Sequence, residues 1–179
     1  MLTDLRLYPI DDSNSFRNKF SAYPSFLHKC AQTFFSVKKE VPLIQNIYGH
    51  YIRLHPLPFK YGSIITGNGP CPPSSQILKP GVKLEVHCIQ PLQTLYIKGP
   101  QTIKLDHPCV PNSVFLIHES HSTPLAVQNF NEPIFDISSE NYGFISYCPI
   151  LFMILINFDV KFTEEHGEGA HWTIILEEY

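Results

Sequence analysis

The chain has 179 residues, 44% of them hydrophobic and 16% charged, which is the profile of one globular domain with a modest core and argues against a long disordered tail. Lys plus Arg total 13 against 16 for Asp plus Glu, a formal charge of -3, so no basic field exists to hold a phosphate backbone and nucleic acid is disfavoured as the main partner. Sixteen prolines and nine glycines spread along the chain break it into pieces too short for long helices and all but exclude a helical bundle.

In chain order, the N-terminal MLTDLRLYPIDD lacks a basic segment followed by an apolar run and a small-residue cleavage site. No secretory signal is expected there, and the protein is expected to be intracellular. Residues 1–40 intersperse Phe16, Phe20, Phe26, Phe34 and Phe35 among polar residues. Asp12 or Ser13 is a candidate cap for one short helix and Pro24 a candidate start for another. From Val41 the pattern turns β-like: Ile47-Tyr48-Gly49-His50-Tyr51-Ile52-Arg53-Leu54 is rich in aromatic and β-branched residues, and a second strand is predicted over 61–66. Gly67-Asn68-Gly69-Pro70-Cys71-Pro72-Pro73 then reads as a break. The chain is accordingly divided into an N-terminal appendage, 1–75, and a β domain, 76–179.

Beyond the break, Val82-Lys83-Leu84-Glu85-Val86 and Thr94-Leu95-Tyr96-Ile97-Lys98 alternate apolar with polar residues, and 102–105 does so less strictly, as strands with one wet face do. Further strands are predicted at 114–118, 125–127, 134–137, 147–158 and 172–176, at the spacing of an all-β sandwich or barrel. The apolar run 144–158 holds Ser146 and Pro149 and is too short to span a bilayer as a helix. It reads as a buried strand, and no membrane partner is expected.

The order of segments from about 78 to 179 resembles the dUTPase superfamily. Pro80-Gly81-Val82-Lys83-Leu84 resembles the family's first motif, Ala-Gly-x-Asp-Leu. Pro111-Asn112-Ser113-Val114 resembles a Pro-plus-turn entry into a strand, and Ser122-Thr123-Pro124-Leu125-Ala126-Val127 stands where the family has Pro-Arg-Ser-Gly-Leu-Ala. Ile137-Ser138-Ser139-Glu140-Asn141-Tyr142-Gly143 is similar to Ile-Asp-x-x-Tyr-x-Gly. An apolar strand ending Ile156-Asn157-Phe158, followed by Phe162, Gly167 and Thr173-Ile174-Ile175-Leu176-Glu177, is similar to the segments that close the family core. The resemblance implies an all-β, dUTPase-like jelly-roll barrel of the β-clip type, preceded by a short helical or irregular appendage.

Family enzymes split the α-β phosphoanhydride of dUTP with an Asp that orients water, Mg²⁺ held largely by the substrate, and polar or basic groups on the phosphates. On the simplest alignment the first-motif Asp falls at Lys83, the second-motif Arg at Ser122, the water-orienting Asp at Ser138, and the fourth-motif Asp-Arg within Glu168-Gly169-Ala170. The Gly-rich C-terminal arm is also expected to be missing. The resemblance therefore implies the fold without the activity, and without a cofactor. It is similar to the dUTPase-related proteins of herpesviruses and adenoviruses, which bind host proteins. The rival enzyme reading retains a nucleotide pocket formed by Glu85, Thr123, Glu140 and Tyr142, with Mg²⁺ as its cofactor. A third reading makes the chain a β-barrel subunit of a virion, and monomer and trimer both stay open.

Other constellations carry less. The five cysteines, Cys30, Cys71, Cys88, Cys109 and Cys148, are odd in number and widely spaced, which predicts reduced thiols and not a disulfide framework. His118-Glu119-Ser120-His121 is one residue short of H-E-x-x-H, and on a strand the two His point to opposite faces. Cys109 with His107, or Cys88 with His87, lacks an orienting group and an oxyanion hole. Glu164-Glu165 and Glu177-Glu178 read as solvated charge, and Gly67-Asn68-Gly69-Pro70 lacks the Lys and helix of a phosphate loop.

Overall fold

The computed structural model describes residues 4–10, 29–37, 43–53, 60–69, 72–118, 122–125, 131, 133–137, 142–162 and 169–179. All regular structure among them is strand: β1 (Arg6–Pro9), β2 (Lys29–Ser36), β3 (Leu43–Gln45), β4 (Tyr51–Arg53), β5 (Tyr61–Gly69), β6 (Lys83–His87), β7 (Leu92–Lys98), β8 (Gln101–Lys104), β9 (Phe115–Ile117), β10 (Ser122–Pro124), β11 (Ile134–Ile137), β12 (Tyr142–Tyr147), β13 (Ile150–Phe162) and β14 (Ala170–Glu178). The protein is all-β and every strand pair is antiparallel.

One sheet has six strands in the order β1-β6-β13-β14-β5-β2, a second has four in the order β10-β9-β12-β7, and β11-β8 and β3-β4 form two-stranded ribbons. The expected closed barrel is not formed. β1 and β2 end the larger sheet without pairing with each other, so it stays open. Nor does the division at residue 75 interrupt the hydrogen bonding, since β1, β2 and β5 share a sheet with β6, β13 and β14. Gln32, Phe34 and Cys30 turn inward in register with Ile65, Ser63 and Gly67, so the first third of the chain supplies core and not only an appendage. The helices expected near Asp12 and Pro24 lie outside the described residues, and 29–36 is strand.

Each sheet buries one face because its strands alternate. In the larger sheet Leu84 and Val86 of β6 stand opposite Met153 and Leu151 of β13, and Leu155 opposite Leu176 of β14. These six, with Trp172, Ile174 and Ile65, form one core. Side chains of this size contribute about 1.5–3 kcal/mol each on burial. Under the smaller sheet Ile97, Leu116, Ile145 and Tyr147 pack with Leu105, Cys109, Val114 and Ile137 in a second core.

Four predicted segments are redrawn. The strand expected over 47–54 is instead a hairpin, β3-β4, folded at Asn46–His50, where Gly49 has φ 79°. Gly67-Asn68-Gly69 is not a break but the end of β5. A Cβ on Gly67 would meet the Trp172 indole that lies across it, so the glycine makes room for the largest core residue. The apolar run 144–158 is two strands in two sheets, because the chain crosses between them at Cys148-Pro149. The strand expected over 125–127 is replaced by β10 at 122–124; of the expected residues, Leu125 lies just past it, and 126–127 lie outside the described residues.

The crossing is matched by a second one at 88–91, between β6 and β7. Cys88 N donates to Pro149 O at 3.0 Å, Ile150 N to Pro108 O at 2.7 Å, and Val110 N to Cys148 O at 2.9 Å. Gln32 fastens this junction to β2 and β5. Its Oε1 accepts from Ile89 N at 2.8 Å and Gln90 N at 3.1 Å, while its Nε2 donates to Ser63 Oγ at 2.9 Å.

Candidate functional site

The positions singled out by the dUTPase resemblance fall on different sheets. Lys83 and Glu85 are on the outward face of β6 in the larger sheet. Lys83 Nζ lies 5.6 Å from the centre of the Tyr179 ring. Glu85 Oε1 is 3.0 Å from His87 Nε2, and the His87 ring meets Tyr8 edge-on at 5.1 Å. Ser122 and Thr123 are exposed on β10, the edge of the smaller sheet, opposite Ile117 and Leu116. Tyr142 opens β12 in that same sheet. Ser138 and Glu140, like Glu119, His121, His166 and Glu168, lie outside the described residues.

Ser122 and Tyr142 belong to one face of the smaller sheet. Residues directly opposite in an antiparallel pair point to the same side, and the register runs Ser122–Ile117–Phe144–Tyr96, with Tyr142 opposite Lys98. Tyr96, Tyr142 and Phe144 are 53%, 51% and 46% exposed. The Tyr96 and Phe144 rings meet edge-on at 5.2 Å, and Tyr142 meets His118 the same way at 5.5 Å. Gly143 holds this arrangement together, because a Cβ there would collide with the Ile117 carbonyl oxygen and push β12 away from β9. The face thus offers ring faces, phenol hydroxyls, an imidazole and one ammonium, which suits an apolar or π surface with a few polar contacts.

The β3-β4 hairpin presents a second apolar group. Ile47 and Tyr48 at its tip are 92% and 79% exposed, although the turn itself is tightly held. Asn46 Oδ1 accepts from Tyr48 N at 3.0 Å and His50 N at 2.9 Å, Asn46 N donates to His50 O at 2.9 Å, and Gln45 Nε2 donates to Gly49 O at 3.0 Å. A loop with its amides paired internally loses little when a partner excludes water from it.

Polar groups also gather at the buried junction between the sheets. Glu178 Oε2 accepts from Tyr61 N at 3.0 Å, while Oε1 lies 3.3 Å from His107 Nε2. Tyr61 meets the His107 ring edge-on at 5.6 Å. Burial, then the negative charges of Asp106 and Glu178, push the Tyr61 phenol up. Tyr147 is pushed up by burial and then by Asp106. Burial also lifts the Cys88 thiol from an ordinary 9.0 to about 12 and the Cys109 thiol to about 11. Both stay neutral near pH 7 and are poor nucleophiles. Cys88 points into the core while His87 points outward to Glu85, so that pair is separated by the sheet. Glu178, taken from sequence as solvated charge, is instead a partly buried acceptor. Among the described residues no three His, Cys, Asp or Glu side chains converge on a point that could hold a metal ion.

Of the exposed aromatic residues of this face, Tyr142 was singled out in the sequence, as a candidate for a nucleotide pocket. Tyr96 and Phe144 sit in alternating runs that do not say which face is wet. Lys98 comes beside Tyr142 by a strand register spanning 44 positions of chain.

No protein-family model matches the chain, and neither a curated protein nor a solved structure matches it. Fold and surface define an antiparallel all-β protein with an exposed aromatic face and a hydrogen-bonded hairpin with an exposed apolar tip.

Proposed function

We propose that the protein is a non-catalytic relative of the dUTPases, of the kind carried by large DNA viruses, that acts inside the host cell by binding a host protein. Its antiparallel sheets are read as a divergent form of the family's jelly-roll. The observation that carries the reading is the character of the face shared by Ser122 and Tyr142. It exposes Tyr96, Tyr142 and Phe144, and residues 107–158 contain no Lys or Arg. A nucleoside triphosphate requires several cationic or metal-borne charges to offset its phosphates, whereas exposed aromatic clusters are the usual anchors of protein interfaces. The hairpin tip of Ile47 and Tyr48 adds a second anchor of the same chemistry.

A second reading, a divergent nucleotide-binding protein, takes support from Lys98, which stands opposite Tyr142 in the strand register and so puts an ammonium group on the aromatic face. Two measurements separate the readings. With dUTP and Mg²⁺ the purified protein is expected to release no pyrophosphate above background, and turnover at about 1 per second or faster would overturn the proposal. A thermal midpoint that rises with dUTP concentration, and ceases to do so in Lys98→Glu, would favour the second reading instead.

A further inference from the structure

The outward face of the six-stranded sheet is unusual for an antiparallel sheet with one face already packed, since the other face is ordinarily polar. Its central strands present Ile64 of β5, Ile175 of β14, and Phe152 and Ile154 of β13, and the Phe35 ring of β2 is laid over Gly62. Register places these on one side. Ile64 is opposite Ile175, Phe35 opposite Gly62, and Ile154 opposite both Glu177 and Lys83. Phe35, Ile64 and Phe152 are among the exposed large hydrophobic residues of the chain.

Two charges flank the apolar centre of this face, while Glu85, opposite Phe152, is already engaged by His87. Ile154 has Lys83 beside it on β6 and Glu177 beside it on β14, one unit charge of each sign at about one strand spacing, ~4.8 Å. Consider two such faces packed together about a twofold axis that runs along β13. The axis exchanges the two sides of the strand, so Ile154 meets Ile154 of the other copy and each Lys83 meets the other copy's Glu177. An axis perpendicular to the strands would instead set Lys83 against Lys83 and Glu177 against Glu177. The charge pattern therefore selects one geometry, aligned sheet packing, in which strands of facing sheets lie within about 30° of each other. Five strands at about 4.8 Å and about eight residues at 3.4 Å make a face of roughly 24 by 27 Å, on the order of 650 Å². That approaches the ~800 Å² per partner of a standard stable interface.

We propose that the occupant of this face is a second copy of the chain, and that the protein is a twofold dimer packed through the outward face of the six-stranded sheet, with Lys83 of each copy against Glu177 of the other. This rests on the larger sheet alone and is independent of the proposed host-protein contact on the smaller one.

Sedimentation equilibrium of the full chain tests it. The expected result is a dimer at tens of micromolar, with Lys83→Glu and Glu177→Lys each raising the dimer Kd about tenfold or more by setting like charges together, and with the double reversal restoring it to within about threefold. Restoration also shows that the single variants fail by charge and not by misfolding. A wild-type monomer up to about 200 µM, a trimer, a dimer indifferent to the single reversals, or a double reversal that does not restore association would each overturn the proposal. Failure here leaves the dUTP assay unaffected, so the two proposals fall separately.

Discussion

Gln32 shows how much one side chain can organise. It is 8% exposed and makes three hydrogen bonds, two of them to backbone amides more than fifty residues away. Leaving buried donors without an acceptor costs their full desolvation, about 1–3 kcal/mol each. Gln32→Leu is therefore expected to lower unfolding stability by about 3 kcal/mol, read as a drop in the urea midpoint at unchanged slope. A loss below about 1 kcal/mol would show that Ile89 N and Gln90 N find other partners. Nothing local marks Gln32 as special, since a glutamine in KCAQTFFS looks like an ordinary outward residue of an alternating strand. Glu178 was misjudged for the same reason. Its burial comes from Tyr61 and His107, which the fold and not the chain brings alongside. Gly143 entered the sequence reading only inside a family-like motif, and its structural reason, the Ile117 carbonyl, belongs to the fold.

Among the elements, the β3-β4 hairpin is held by its own contacts and should behave as a small independent unit. Asn46→Ala removes the acceptor shared by Tyr48 N and His50 N. Those two amides are expected to lose hydrogen-exchange protection while the global midpoint moves by less than about 0.5 kcal/mol. A large global loss would mean that the hairpin supports the sheets. The sequence read 47–54 as one strand because Ile47, Tyr48, Tyr51 and Ile52 favour a strand, and their pattern outweighed a lone glycine. Gly67 was misread in the opposite direction. Glycine beside Asn and Pro signals a turn locally, but here Trp172 occupies the space where a side chain would stand. The long apolar run, read as one buried strand, is strand on both sides of a crossing. Pro149 divides it because the two halves join different sheets.

For the molecule as a whole, the buried acids set its response to alkali. Cys88, Cys109, Tyr61 and Tyr147 all have raised values. Between its ordinary and its raised value each group keeps its proton in the folded protein and has lost it in the unfolded chain. The stabilisation is thus complete below the unfolded value and is lost as pH rises through the window, from 9.0 to about 12 for Cys88 and from 9.0 to about 11 for Cys109. Within its window each of the two thiols contributes a slope of about 1.4 kcal/mol per pH unit. Thermal midpoints are expected to be level from pH 7 to 8.5 and to fall steeply by about pH 10.5, with a shallower fall in Cys88→Ala. An equal slope in wild type and variant would show that Cys88 does not contribute.

The sequence by itself determined the all-β class and the places of most strands, because period-two alternation and Pro and Gly punctuation are properties of neighbouring residues. Only the tertiary structure decided that β5 lies between β2 and β14, the last strand of the chain, that Lys98 stands opposite Tyr142, and that the larger sheet stays open with Ile64, Ile175 and Ile154 on its outer face. Alternation states that a strand has two unlike faces. Which strand pairs with which, in what register, and which face meets water are set by burial between residues far apart in the chain, where a shift of one residue would turn every side chain over.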